Sequence, residues 1–393
     1  MLLSLVPGVA PAQVPPASQV QPPAGVPPVV DPSNVYSETG RVSPAVAGAL
    51  PRIYVPNLKS QDLYVIDPAT YQVVDHVMLG GNPQHVVPSW DLKTLWIAGS
   101  AENKLSGFLI PIDPKTGKPG EAIKVPDAYN LYFTPDGKYA IVVAEALRRL
   151  DFHDAQTMKF EFSLRTPQCA GVNHADFSID SRYAIFTCEF AGGGLVKIDL
   201  VDRKVEAYLK LQKPAAAGGA PMPNMPKMPA GNSMPQDIRI SPDGKQFFVA
   251  DMDSDGVYLI DAATFRQTGF IPTGRGAHGL YPSRDGKKLY VTNRGTHMGD
   301  TKAKGPGSVG VIDFATAKLE KTWPIPGGGS PDMGNVSADG KTLWVSGRFD
   351  GVVYAIDTTS GAVKTIPVGR EPHGLTVWPQ PGRYSLGHTG VMR

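Results

Sequence analysis

The stretch "GLYPSRDGKKLYVTNRG" covers residues 279–295. Two short apolar runs flank Ser283-Arg284-Asp285-Gly286-Lys287, a run with the chemistry of a tight turn: a short acid that can bond nearby backbone, then a glycine free to take positive φ. The same arrangement returns as "IRISPDGKQFFVADM" (238–252), "LYFTPDGKYAIVVAE" (131–145) and "GNVSADGKTLWVSGR" (334–348). Downstream of each comes a further apolar run ending in Asp, as in "VYLIDA" and "VGVIDF", and then a D-x-x-T turn and another strand-like run. Apolar runs this short, separated by Gly, Asp and Pro, read as strands. The repeating unit is therefore four strands joined by turns.

The first strand of the unit begins near His85, Asn130, His174, Asp237, His278, Asp332 and His373. Most of these starts follow one another at the length of a four-stranded propeller blade. The ends of the chain supply the missing pieces of one blade. "RIYVPN" (52–57), "DLYVID" (62–67) and "YQVVDHVML" (71–79) are strands two to four without a strand one, and "PHGLTVWP" (372–379) is a strand one with nothing after it. Pairing them closes the ring and removes the sheet edges an open array would expose. The expectation is an all-β, seven-bladed β-propeller over residues 52–379.

The run "LYVTNRG" after "SRDGKK" resembles the YVTN β-propeller repeat family, and "GRYSLGHTGVMR" at the C-terminus is similar to the end of its bacterial members. The resemblance covers nearly the whole folded chain. It implies the propeller fold. Relatives include lactonase-like proteins and propellers akin to those that bind haem d1. The shared motif is structural, so no catalytic residue carries over from it.

The flanks read differently. Residues 1–31 form a Pro-rich leader, 32–51 a linker and 380–393 a tail. "LLSLVPGVA" followed by "APA" has the pattern of a secretory h-region and a small-residue cleavage site, which points to an exported, periplasmic or extracellular protein. The basic n-region is missing, which leaves open a merely apolar leader. The sequence contains no run of eighteen apolar residues, so no transmembrane helix is expected. A formal net charge of +2 over 393 residues excludes a broad polyanion-binding surface. "LRRLD" and "TKAKG" are isolated basic spots, and no nucleic-acid partner is expected.

Topology ranks the two faces. The S-x-D-G-K and D-x-x-T turns share one face and are short. The loops of the opposite, upper face include both long insertions, residues 211–236 and 293–308. Long loops on a rigid scaffold are where function concentrates. The inner strands also begin on that face, at the mouth of the central channel. Four of the eight histidines stand at those starts: His85, His174, His278 and His373, in what the repeat count places as alternate blades. Imidazoles converging on one axis suit a divalent metal or a hydrogen-bonded ligand, with Asn130, Glu189, Asp237 and Asp332 as further ligands or as flanking groups. The plainer reading is that these polar residues only bond neighbouring blades. His76 and His153 fall on outer strands, outside this group.

Met222, Met225 and Met228 recur every third residue in "APMPNMPKMPAG". In a polyproline II conformation that spacing aligns three thioethers on one side, as a Cu(I) site would need. Met234, Met252, Met298 and Met333 also fall in or beside upper loops. The plainer alternative is a low-complexity loop that meets an apolar partner. The two cysteines, Cys169 and Cys188, both lie at the upper edge of one blade. A disulfide is expected in an exported chain, against a reactive thiol at Cys188.

Three functions fit these residues. The first is a module that binds a small molecule or a metal, copper foremost, at the upper mouth. The second is an enzyme, either a metal-assisted lactonase-type hydrolase or a copper oxidoreductase, with Asp237, Asp332 or Glu189 as base. The third is a scaffold whose upper loops hold a protein partner.

Overall fold

The computed structural model describes residues 31, 33–36, 42–101, 105–213, 233–297 and 305–380. Residues 1–30 of the leader, Met222, Met225, Met228, Met298 and residues 381–393 of the tail lie outside the described residues.

Seven antiparallel four-stranded sheets are arranged around one axis. The first sheet is the closing blade: the C-terminal strand Thr376–Trp378 pairs with Arg52–Asn57, followed by Asp62–Asp67 and Gln72–Met78. Blades 2 to 7 follow in chain order. Their inner strands are Asn82–Pro88, Ala128–Phe133, Val172–Phe177, Pro235–Ile240, Ala277–Pro282 and Pro331–Val336. Each inner strand touches the next around the ring, and Thr376–Trp378 touches those of blades 7 and 2. The closure expected from the split blade is therefore present.

The turns explain why the repeat is legible. In blade 6, Ser283 Oγ donates to Asp285 Oδ1 at 2.6 Å, and the Lys287 amide donates to the same oxygen at 3.1 Å. The Lys288 amide donates to Ser283 Oγ at 2.9 Å. Gly286 then has a φ of 67°. That is the left-handed region, which glycine occupies without strain. Ser241-Asp243 and Ser337-Asp339 repeat these bonds. In the D-x-x-T turn, Asp313 Oδ1 accepts from the amide and hydroxyl of Thr316, both at 2.9 Å. Side chains thus bond the backbone groups that each reversal leaves unpaired.

Apolar clusters fill the spaces between blades rather than the axis. Polar side chains on the inner strands clip one blade to the next. Tyr132 accepts from the Ala175 amide at 3.0 Å, Asp176 from Ile240 at 2.7 Å, and Tyr281 from Gly334 at 2.9 Å. Asn335 accepts from Val377 at 3.0 Å.

Part of the segment expected as linker is docked. The Val35 amide donates to Pro242 O at 2.7 Å and Tyr36 Oη donates to Ile240 O at 2.8 Å, both beneath blade 5, and both side chains are buried. Pro44–Val46 form a 3-10 turn capped by Ser43, and Val46 joins the core under blade 2. Cys169 and Cys188 are joined by a disulfide. Among the described residues, no helix is long and apolar enough to cross a membrane.

Candidate functional site

The upper ends of the inner strands are irregular in a consistent way. In blades 2 to 7 the pairing to the second strand shifts by one residue just inside the mouth. A bulge of this kind re-aims side chains. The register aligns Gln84, Tyr129, Asn173, Gln236, His278, Asp332 and His373 as the upper tier. One residue deeper lie His85, Asn130, His174, Asp237, Gly279, Met333 and Gly374.

The four histidines therefore do meet, but across two tiers and as a chain rather than a square. Ring centroids are 5.3 Å apart for His174 and His85, 4.7 Å for His85 and His373, and 6.3 Å for His373 and His278. The expected alternation is broken, because His373 and His85 belong to neighbouring blades. Tyr129 stands edge-on to His85 at 5.1 Å and to His174 at 5.8 Å.

The neighbours define the proton positions. Asn130 Oδ1 accepts from the Leu131 amide, so its Nδ2 faces His174 Nδ1 at 3.2 Å and donates to it. The His174 proton is then on Nε2, 3.5 Å from Tyr129 Oη. His278 Nδ1 lies 3.0 Å from Asp332 Oδ1, a close contact that does not align as a hydrogen bond. His373 Nδ1 lies 3.2 Å from Gln84 O. A carbonyl oxygen only accepts, so His373 donates from Nδ1. Its lone pair is therefore on Nε2, which faces Asp332 Oδ2 at 3.6 Å.

Asp332 anchors this side. Arg294 reaches Oδ1 through Nε at 2.8 Å and Nη2 at 2.7 Å, and Arg348 Nη1 is 3.9 Å from Oδ2. Arg294 outweighs its burial and holds its carboxyl well below the usual carboxylate range. Burial, helped by Arg294, pushes His278 down to about 4. Burial and Arg348 lower His373 as well. Both rings are neutral at pH 7.

Asp237 does not join the imidazoles. It pairs with Arg239 at 3.0 Å and accepts from the Leu280 amide at 2.9 Å, so it is an inter-blade clip. Burial raises its carboxyl to about 6 despite Arg239. Glu189 stands apart from the imidazoles too, on the rim. It accepts from Asn173 Nδ2 at 2.9 Å and Gln236 Nε2 at 3.2 Å, and it shares a hydrogen bond with Glu145. Burial pushes its carboxyl up. Of the methionines, Met234, Met252 and Met333 are buried, and Met333 Sδ accepts from Tyr281 Oη at 3.5 Å.

Glu145, Arg294, Arg348 and Tyr129 were missed in the sequence. A signal existed for the first three. Each is the residue that leaves a second strand at the upper face, as in "VVAE", "VTNR" and "VSGR". Together with Glu189, Gln84, Gln236, His278 and His373, they line one cavity of about 470 Å³ at the channel mouth.

An all-β ring of seven four-stranded sheets with a polar, histidine-rich upper mouth is a β-propeller in architecture. The chain belongs to the YNCE-like beta-propeller family, whose model matches residues 16–219 and 227–381. No curated protein matches it. Among solved structures it is similar to hydrazine synthase of Kuenenia stuttgartiensis, at 17% identity over 75% of this chain and 89% of that one, with TM-score 0.58. A Bacteroides uniformis protein provisionally assigned as a 6-phosphogluconolactonase shares 16% identity over 83% and 98%, with TM-score 0.61. The dihydro-heme d1 dehydrogenase NirN shares 15% over 90% and 78%, with TM-score 0.51. At these identities the likeness shows the fold alone.

Proposed function

We propose that this propeller is an exported binding protein whose upper mouth takes a small polar molecule. One observation carries the reading: charged and neutral polar side chains from separate blades converge on a single cavity of about 470 Å³. That volume suits a small ligand, and a few placed polar groups are what orient one. The Cys169–Cys188 bond supports an oxidising compartment. The test is a thermal-shift panel of carboxylates, sugar acids, phosphates and amino acids on wild type, His278→Ala and Arg348→Ala. A compound that raises the wild-type melting temperature and leaves both variants unmoved supports the reading. A panel whose shifts are the same in all three proteins overturns it.

A second reading is a metal ion on His278, Asp332 and His373, which each offer a donor atom within 4.8 Å of the others. It is favoured by the His373 Nε2 lone pair opposite Asp332 Oδ2, a buried oxygen with no hydrogen bond. Imidazole, with the Met333 thioether one residue along, would favour copper. Against it, Arg294 already occupies Oδ1, and a cation would sit beside two guanidinium groups. Elemental analysis of protein purified without a histidine tag tests it. Stoichiometric copper lost in His278→Ala would establish the metal, and its absence from wild type would remove it.

Turnover of the lactonase type would need a base. On the rim that role fits Glu189, whose carboxyl is raised, better than Asp332, whose proton affinity is low. A protein partner on the upper loops is the remaining proposal, and residues 214–232 of the longest loop lie outside the described part.

A further inference from the structure

The acids and arginines that leave the second strands stand on different blades of the mouth, and Lys59 and Glu371 also line it, Glu371 beside Arg348. Glu145 and Glu189 leave the second strands of blades 3 and 4, and Arg294 and Arg348 leave those of blades 6 and 7. The two sides also differ in hydrogen-bonding sense. On the acidic side, Asn173 points its amide nitrogen at Glu189, so its Oδ1 remains as an acceptor, fully buried and without a hydrogen bond. The Glu145–Glu189 hydrogen bond joins two acids and so requires a proton between them. On the basic side, Arg348 Nε and Nη1 are buried donors without a hydrogen bond, although Nη2 lies 3.5 Å from Glu371. Tyr129 lines the same cavity as Glu145, Glu189 and Arg348.

We propose that the ligand of this mouth is a small zwitterion, an amine that also carries a carboxylate. The inference rests on the mouth-binding reading above and adds the ligand class. The ammonium would lie against Glu145 and Glu189, which line the cavity. Its N–H donors match the carboxylate oxygens, and its charge replaces the proton that the two acids share. The carboxylate would lie against Arg348, whose planar fork matches two oxygens. Arg294 is committed to Asp332 and adds its field to that pole. In a half-enclosed cavity both attractions exceed their strength in water. A ligand with one charge would leave the opposite pole desolvated and unmatched.

The experiment uses the full chain and the linear ω-amino acids from glycine to 6-aminohexanoate. Each is compared with the acid lacking its amine and the amine lacking its acid, by calorimetry and saturation-transfer NMR. At least one amino acid should bind tenfold or more tightly than both of its one-charge counterparts. Glu189→Gln should erase its advantage over the acid, and Arg348→Gln its advantage over the amine, with each variant retaining a cooperative melt. If Glu189→Gln does not fold, Glu145→Gln carries the same arm, because it removes the other half of the carboxyl pair. Acids that bind wild type as tightly as their amino acids overturn the zwitterion while leaving the mouth a binding site. A series in which no amino acid binds also overturns it, and the wider panel then judges the mouth separately.

Discussion

Asp332 is buried with Arg294, Arg348, His278 and His373 all directed toward it. Removing its charge leaves the Arg294 guanidinium without its partner, so Asp332→Asn should cost about 3–5 kcal/mol, read from urea midpoints. The pair Asp332 and His278 also sets the acid limit of the fold. His278 is neutral when folded and titrates at about 4. The unfolded ring titrates at about 6.5. Between those values the unfolded chain binds more protons, so stability falls as pH is lowered through that window. For this ring alone the loss amounts to roughly 3 kcal/mol. Asp332 contributes stability above the unfolded carboxylate value, and that contribution is lost only as pH falls through its much lower folded value. NMR titration should find the His278 ring still neutral at pH 5, and a midpoint above 6 would refute this assignment.

The polar cluster gathers at the upper strand ends because the bulges turn two successive residues toward the axis. That device was not legible in the repeat, which showed where the inner strands start but not that their pairing slips there. Two elements outside the regular ladders have measurable weight. Tyr36 is fully buried under blade 5 and bonds Ile240 O. Tyr36→Ala should therefore destabilise by about 3 kcal/mol, detectable as a lower urea midpoint. An unchanged midpoint would show that the segment is a passive linker. The Cys169–Cys188 bond spans a sequence separation of 19. Replacing both cysteines with Ala should cost roughly 3 kcal/mol. Equal midpoints with and without reductant in wild type would contradict this.

The ring is one cooperative body only if blade 1 is closed. Trp378 is buried, and Ile53 and Tyr54 pair with Val377 and Thr376. Deleting residues 372–393 removes an innermost strand and bares the edge of Arg52–Asn57. The truncated chain should melt at a lower temperature than wild type, with a broader transition and a tendency to associate. A truncation that melts like wild type and stays monomeric would mean that the closure contributes little. The same closure places His373 beside His85, although the two stand near opposite ends of the folded chain.

The sequence alone determined the number of blades, the split blade that closes them and the face on which the inner strands begin. Those properties follow from local chemistry: S-x-D-G-K and D-x-x-T turns whose bonds span only a few residues, repeated at blade length. It also determined that His85, His174, His278 and His373 stand near the channel mouth, because equivalent positions in a closed ring must face one another. Only the tertiary structure decided which polar residues act together. Asp237 and Asp332 read alike in the repeat, yet the bulge places one a residue deeper, where Arg239 and a neighbouring amide take it up. Glu145 and Arg348 are ordinary loop charges until ring closure sets the blades that carry them around one cavity. Which partners a charge meets depends on distances between blades, and no local pattern encodes those.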